Sequence, residues 1–343
     1  MIKEAISLLV SGHSLTMEQA SEVMEEMTTG QVTPAQFGGF VTALKIKGET
    51  VDEIAGLASV MRAKSIRVKT TEPVIDIVGT GGDNSKSFNI STAAAFVAAG
   101  AGVKVAKHNN RAMTSQCGSA DVLEALGVKI DLDASQVKEC LERVGIGFMF
   151  APLFHPAMKF ATAPRREIGI RTIFNILGPL TNPALAESIV LGVPTEELGE
   201  KLIQVQFRLG AKHALVVHGL NGMDEISVAG KSKVWELYEG KITDYQISPE
   251  DFGLAVAGIE TLKGGTPQEN AKMLRSVLEG EKGPRRDAVV MNAAAGIVVG
   301  KGTKNPSGLP VLKEGVEIAK EAIDSGRALE KLERLIKLSQ SYG

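Results

Sequence analysis

The residues Gly79-Thr80-Gly81-Gly82-Asp83 and, just after them, Ser87-Phe88-Asn89-Ile90-Ser91-Thr92 put glycines, an acid, an amide and hydroxyls into one short stretch. Glycine removes the Cβ that would hold a ligand off the backbone, and it permits positive φ. An apolar β-branched run at 74–78, led by Pro73, precedes the stretch, and an alanine-rich run at 93–99, closed by Gly100, follows it. That is a strand, a glycine loop and a helix. The start of such a helix offers unpaired N–H groups and the positive end of a dipole. Together they make a site for a phosphate-like anion. The stretch is neither common phosphate loop: it lacks the Gly-Lys-Ser/Thr ending of a P-loop, and Asn84 stands where a dinucleotide fingerprint has its last glycine. Without a ligand it reads as a tight strand-to-helix turn.

Three further clusters carry chemistry. After an expected strand at 103–106 comes Lys107-His108-Asn109-Asn110-Arg111-Ala112-Met113-Thr114-Ser115, cations followed by hydroxyls, which suits a phosphate-rich ligand. Gly118-Ser119-Ala120-Asp121 then opens an apolar helix and gives a second helix N-terminus, so that two such ends can hold two anionic groups of one substrate. Arg165 and Arg166 follow Pro164, which reads as a helix start. Cations in a first turn oppose the dipole, so either a carboxylate ligand or pairing with Glu167 or another acid would account for them. Asp224-Glu225 follows a glycine-loosened strand end. Mg²⁺ takes oxygen ligands, often one or two carboxylates with substrate phosphates. Adjacent acids in an extended segment point to opposite sides, so this pair could hold two ions or bracket one; otherwise it is a solvated acidic turn. His155, beside Pro156, reads as structural or as lining an acceptor pocket, and Cys117 reads as packing.

The elements that must position these residues are legible in outline. Residues 1–70 read as a small α-helical domain with capping boxes at Thr16/Gln19, Thr33/Gln36 and Thr50/Glu53, Pro34 at a first helical position, and Gly30 and Gly48 as stops. Residues 71–343 read as a larger α/β domain, with helices near 164–185 expected to join the first. Expected strands at 74–78, 103–106, 146–150, 188–193 and 213–218 alternate with helices starting at Ser91, Ser119, near Asp133, at Pro164 and at Thr195. That alternation predicts a mainly parallel central sheet covered by helices, with its site at the carboxyl ends of the strands. A hairpin is expected at 233–248 around Trp235 and Gly240, followed by helices near 267–280, 285–299, 311–324 and 328–338.

Composition excludes several classes. A net charge of −2 over 343 residues gives no basic surplus for nucleic acid. No apolar run reaches the ~18 residues of a membrane span. Two cysteines, Cys117 and Cys140, are too few for a disulfide scaffold, which points to a cytoplasmic protein.

Gly79-Thr80-Gly81-Gly82-Asp83 with Phe88-Asn89-Ile90-Ser91-Thr92, the Lys107-His108-x-Asn110-Arg111 loop with Gly118-Ser119-Ala120-Asp121, the Arg165-Arg166 pair, the Leu177-Gly178-Pro179-Leu180-Thr181-Asn182-Pro183 turn and Asp224-Glu225 together resemble the anthranilate phosphoribosyltransferases, in family order along nearly the whole chain. The resemblance implies transfer of a phosphoribosyl group from phosphoribosyl diphosphate to anthranilate, in tryptophan biosynthesis. It implies that Gly79, Gly82, Asp83, Ser87, Asn89, Ile90, Ser91, Thr92, the run Lys107, His108, Asn109, Asn110, Arg111, Ala112, Met113, Thr114 and Ser115, and Ser119 bind phosphoribosyl diphosphate. Anthranilate would meet Gly79, Asn110 and Arg165, and Mg²⁺, as two ions, would meet Ser91, Asp224 and Glu225. A homodimer through the helical domain is also implied, as is a hinge role for the turn at 177–183. His108 is the candidate to take the proton released by the amine. Asn109 departs from the family, which has glycine there; asparagine is the residue next most able to take positive φ, so the expectation is a loop that keeps its path but crowds the substrate or is restrained. Two other readings, a pyrimidine nucleoside phosphorylase and a non-enzymatic nucleic-acid-binding relative, fit less well with the glycine-loop spacing, the acid pair and the neutral charge.

Overall fold

In the computed structural model every residue is described except 84, 113–115 and 302–307. Four helices, Ile2–Val10, Met17–Thr28, Pro34–Lys47 and Val51–Lys64, make the small N-terminal domain. The second, third and fourth start on reciprocal capping boxes at Thr16, Thr33 and Thr50, each hydroxyl accepting an amide three residues on while that residue's side chain takes the capping amide. Glu53 does more than cap. Its carboxylate is buried and also accepts the Leu15 amide at 2.9 Å and the Lys47 ammonium at 2.9 Å, tying three segments of the domain to one charge.

The larger domain is built on a seven-stranded sheet, β1 (Ile75–Gly79), β2 (Val105–Asn109), β3 (Ile146–Phe150), β4 (Ser188–Gly192), β5 (His213–Gly219), β6 (Ser232–Tyr238) and β7 (Lys241–Ile247), in the order β3-β2-β1-β4-β5-β6-β7. β1 to β5 run parallel, and β6 and β7 add antiparallel at one edge. The β6–β7 hairpin turns on Glu239 and Gly240, with φ of +48° and +76°, the backbone a tight two-residue turn demands.

Period-two alternation divides the core. Val190, Leu215 and Val217 face the buried alanine-rich helix Ile90–Gly100 and the helix Pro284–Lys301. Their neighbours Ile189, Leu191, Ala214 and Val216 face the other way and share a core with the N-terminal helices, where Phe37 stacks on Phe174 at 5.2 Å.

Two expectations are corrected here. Pro164 does not start a helix. It lies inside the helix Lys159–Ile168, leaving Arg165 and Arg166 in the last turn, where cations complement the dipole. The chain is already helical through Ala151–Phe154 and Pro156–Met158, so the proline costs one internal hydrogen bond and fails to reset the element. The second strand runs through Asn109, not Ala106, so Lys107 and His108 sit within the sheet and are buried.

Candidate active site at the carboxyl edge of the sheet

The site lies where β1, β2 and β5 end. Gly79 and Gly192 are register partners at the ends of β1 and β4, and the Asp224 segment that follows β5 crosses directly over both. A Cβ at Gly79 would collide with the Asp224 carboxylate, and one at Gly192 with the Asp224 carbonyl. The paired glycines thus open a slot that brings Asp224 and Glu225 onto the glycine loop. There Asp224 Oδ2 accepts the Gly81 amide at 2.7 Å, while Thr80 donates its amide to the Gly192 carbonyl at 2.9 Å. Gly81 and Gly82 follow with φ of +68° and +87°, conformations open to glycine at little cost.

Beyond the loop, Ser87 bridges to Lys263 and Phe88 donates its amide to the Leu262 carbonyl at 2.9 Å, so a distant strap fixes the approach to the helix. Asn89, at the cap position, does not cap with its side chain. It accepts from Asn270 Nδ2 at 2.9 Å and donates to the Cys117 carbonyl at 3.3 Å, joining the first loop to the second. Ile90 is core. Thr92 donates to Ser119 Oγ at 3.1 Å, so the two helix N-termini stand side by side at one edge.

Lys107, 1% exposed, runs along the sheet to donate to the Ile77 carbonyl at 2.6 Å and to Ser91 Oγ at 3.4 Å. The Lys107 ammonium and the Ser91 amide both act to lower the Glu225 pKa, which puts that carboxylate beside them. Three separate strand ends therefore meet at Lys107, Ser91 and Glu225. Burial lowers the Lys107 pKa, and Asp76 and Glu225 oppose that. Burial and then Asp224 push Glu225 well above the carboxylate range; burial and then Asp83 push Asp224 up to about 7. Carboxylates raised by burial and by neighbouring acids mark a place short of positive charge, which a divalent cation sharing their oxygens would supply. Among the described residues no three His, Cys, Asp or Glu side chains close into a ligand cage, so such an ion would need further oxygens, as from a phosphate.

The second loop is held differently. Asn109 donates to Ser119 Oγ at 3.0 Å and accepts the Asn110 amide at 2.8 Å. Its φ is not positive, which corrects the expected reason for an asparagine here: the residue ends β2 in ordinary extended backbone and acts as a brace. Asp121 accepts the amides of Ala112 at 2.9 Å and Gly118 at 2.8 Å. Arg111 pairs with Asp121 and Glu124 and stands over the Phe150 ring at 5.5 Å. Met113, Thr114 and Ser115 lie outside the described residues.

His108 is a poor proton acceptor here. Its ring is buried 5.0 Å from that of His155, neither nitrogen meets hydrogen-bond geometry, and burial, with His155 adding to it, lowers its pKa to about 3. A group held neutral so far below neutral pH gives little basicity. Arg165 is half-buried with its guanidinium 5.4 Å from the Phe174 ring, and burial lowers its pKa. Among the described residues no acid pairs with it, burial being the one influence on its charge, so pairing with Glu167 or another acid does not explain it.

Three participants, Gly192, Arg171 and Asp76, escape the motif reading, and a fourth, Asn182, belongs to the turn motif at 177–183 but with no contact assigned to it. Gly192 matters because it pairs with Gly79 across strands. Arg171 donates to the Thr80 and Gly81 carbonyls at 3.3 and 3.0 Å. Asp76, 0% exposed, accepts Asn182 Nδ2 at 2.7 Å and the His108 amide at 3.4 Å. Asn182 also donates to the Ala106 carbonyl at 2.8 Å, pinning the turn at 177–183 to β1 and β2. Asn182 was visible in the turn motif at 177–183; of the other three, only Asp76 left a trace in the sequence, as an acid inside an apolar strand.

Residues 71–329 match the model of the glycosyl transferase family, a/b domain, and residues 3–65 match that of the glycosyl transferase family, helical bundle domain. The chain is 59% identical over 343 residues to the anthranilate phosphoribosyltransferase of Dehalococcoides mccartyi strain CBDB1, with 99% of each chain covered. It is similar to the crystal structure of anthranilate phosphoribosyltransferase from Thermus thermophilus, at 46% identity and a TM-score of 0.90, covering 98% of this chain and 99% of that one. The Saccharomyces cerevisiae enzyme in complex with PRPP and Mg is similar at 30% identity and a TM-score of 0.90, covering 99% of this chain and 98% of that one.

Proposed function

The chain belongs to the anthranilate phosphoribosyltransferase family, and from that premise we propose how its residues divide the work of the reaction. The enzyme transfers the phosphoribosyl group of phosphoribosyl diphosphate to the amine of anthranilate, giving N-(5-phosphoribosyl)anthranilate and diphosphate, in tryptophan biosynthesis. One observation carries the assignment: Ser91, Lys107 and Glu225 come from three strand ends and lie together, Lys107 hydrogen-bonded to Ser91 and charge-coupled to Glu225, with Asp224 holding the glycine loop beside them.

The diphosphate group lies along Gly79, Gly82, Asp83 and Ser87 to the helix start at Asn89, Ile90, Ser91 and Thr92. Lys107, the loop from His108 through Ser115, and Ser119 hold the remaining phosphate oxygens; Arg111 braces that loop through Asp121 and Glu124. Ser91, Asp224 and Glu225 would hold Mg²⁺, as two ions, together with diphosphate oxygens, and the metal when bound offsets the charge of the leaving group. As the bond from C1′ to the diphosphate oxygen breaks, negative charge grows on the diphosphate. The Lys107 ammonium and the two helix N-termini are fixed beforehand to meet it, which costs no rearrangement at the moment of reaction. Arg165 pairs with the anthranilate carboxylate, and Asn110 and Gly79 place the ring. The aromatic amine is largely unprotonated at neutral pH and needs no base to attack C1′, so positioning supplies much of the rest. His108 shapes the wall and takes no proton.

A homodimer through the helical domain belongs to the same proposal, supported by Val10 and Ile46, 73% and 83% exposed, as apolar surface for a second copy to cover. So does a cytoplasmic location, supported by two buried thiols, Cys117 and Cys140. The test is incubation with phosphoribosyl diphosphate, Mg²⁺ and anthranilate while anthranilate fluorescence is followed. Loss of fluorescence that requires all three supports the assignment; fluorescence that persists rejects it.

A further inference from the structure

Arg171 stands two residues beyond Gly169, whose φ of +69° ends the helix that carries Arg165. From there its guanidinium reaches the glycine loop. Nη2 donates to the carbonyls of Thr80, at 3.3 Å, and Gly81, at 3.0 Å, and the group lies so close over Gly82 that a Cβ there would overlap it. Gly81 is therefore gripped on both sides, its N–H by Asp224 and its carbonyl by Arg171. A planar guanidinium suits this task, since one nitrogen spans two adjacent carbonyls while the flat face packs on a glycine.

We propose that Arg171 is a positioning residue that fixes the diphosphate loop and couples it to the segment bearing Arg165. Such coupling runs both ways. A diphosphate that steadies the loop steadies Arg171, and through a few residues of backbone it steadies the arginine that meets the acceptor carboxylate. This rests on the site assignment above.

The test compares wild type with Arg171→Gln and Arg171→Lys. Anthranilate binding is titrated by its fluorescence, without and with Mg²⁺ and inorganic diphosphate, and steady-state kinetics are taken with both substrates. In wild type, Mg²⁺-diphosphate tightens anthranilate binding by about tenfold, within the usual range of coupling between sites. In Arg171→Gln that tightening disappears and the KM for phosphoribosyl diphosphate rises by about tenfold. Its anthranilate affinity without diphosphate and its thermal midpoint stay at wild-type values. Arg171→Lys falls between, and decides the matter if the glutamine variant unfolds. Wild-type tightening and KM in both variants overturn the inference, as does an absence of tightening in wild type itself. Wild type that shows no turnover at all fails the site assignment instead.

Discussion

The turns after β1 and β2 both lead from a parallel strand into a helix N-terminus at one edge of the sheet, yet different parts of the chain hold them. Among the described residues the turn after β2 is held mainly from within: Asn109 reaches Ser119, Asp121 takes the amides of Ala112 and Gly118, and Arg111 pairs with Asp121 and Glu124, with Asn89 and Thr92 of the first turn reaching Cys117 and Ser119. The turn after β1 is held from outside, by Asp224 on Gly81, Arg171 on two carbonyls, the 262–263 strap on Ser87 and Phe88, and Asn270 on Asn89. A loop stabilised by its own residues keeps its shape when the rest of the fold shifts. A loop stabilised by distant elements reports their arrangement, and can be made competent only when all of them are in place. The acid pair and the helix-bearing glycine loop are built on that second plan.

The largest effect should come from removing what the first turn is organised around. Asp224→Asn with Glu225→Gln is expected to lower kcat on the order of 10³-fold and to change the magnesium dependence of the rate; unaltered magnesium kinetics would remove the acids from the metal site. Gly192→Ala touches neither loop in sequence, but its methyl would displace the Asp224 carbonyl. It should cost about 10²-fold in kcat/KM, the scale of a misplacement near 1 Å; a wild-type rate would show that the slot between β1 and β4 is not needed.

Asp121→Asn strikes the second turn at its local cap, and should raise the KM for phosphoribosyl diphosphate by no more than about tenfold while lowering stability by about 1 kcal/mol, as for lost caps elsewhere. A loss as deep as that of Gly192→Ala would erase the contrast between the turns. The turns should also differ in the sign of their pH dependence. Asp224 and Glu225 have raised pKa values in the folded state, so their contribution to stability is present below the ordinary carboxylate range; that of Asp224 is lost as pH rises through about 7, and that of Glu225 as pH rises through its own raised pKa. For Asp121, burial raises the pKa but the Ala112 and Gly118 amides and Arg111 outweigh it, giving a net lowering. Its contribution is present above the ordinary aspartate range and is lost as pH falls below it. Thermal midpoints taken without Mg²⁺ across that range should decline toward neutral pH in wild type and decline less in Asp224→Asn/Glu225→Gln. Equal slopes would show that the acid pair carries no such cost.

The smallest effect is expected at Asn109. Glycine there removes the brace to Ser119 and the Asn110 amide, freeing both for substrate, and should raise kcat about twofold, the scale of one lost neutral hydrogen bond at most. A lower kcat would mean that the brace assists turnover.

Short-range physics accounts for everything that could be read from the chain alone. The reciprocal caps at Thr16, Thr33 and Thr50 are each closed within three residues, the β6–β7 turn needs only Glu239 and Gly240, and the alternation of apolar strands with helices was enough for a mainly parallel sheet. The residue types for anion and cation binding were also readable, because glycine, hydroxyl, lysine and paired acids advertise their chemistry. The rest came only with the assembled fold. Pro164 stays inside a helix because helical chain precedes it, Lys107 is in the sheet because β2 pairs with β3 through Asn109, and His108 loses its basicity by burial. Above all, Gly79 faces Gly192, and Asp224 reaches Gly81 across 143 residues of chain. No local preference encodes such a meeting; it exists only once the strands have taken their order and the closing of long loops has been offset by the burial of the core between them.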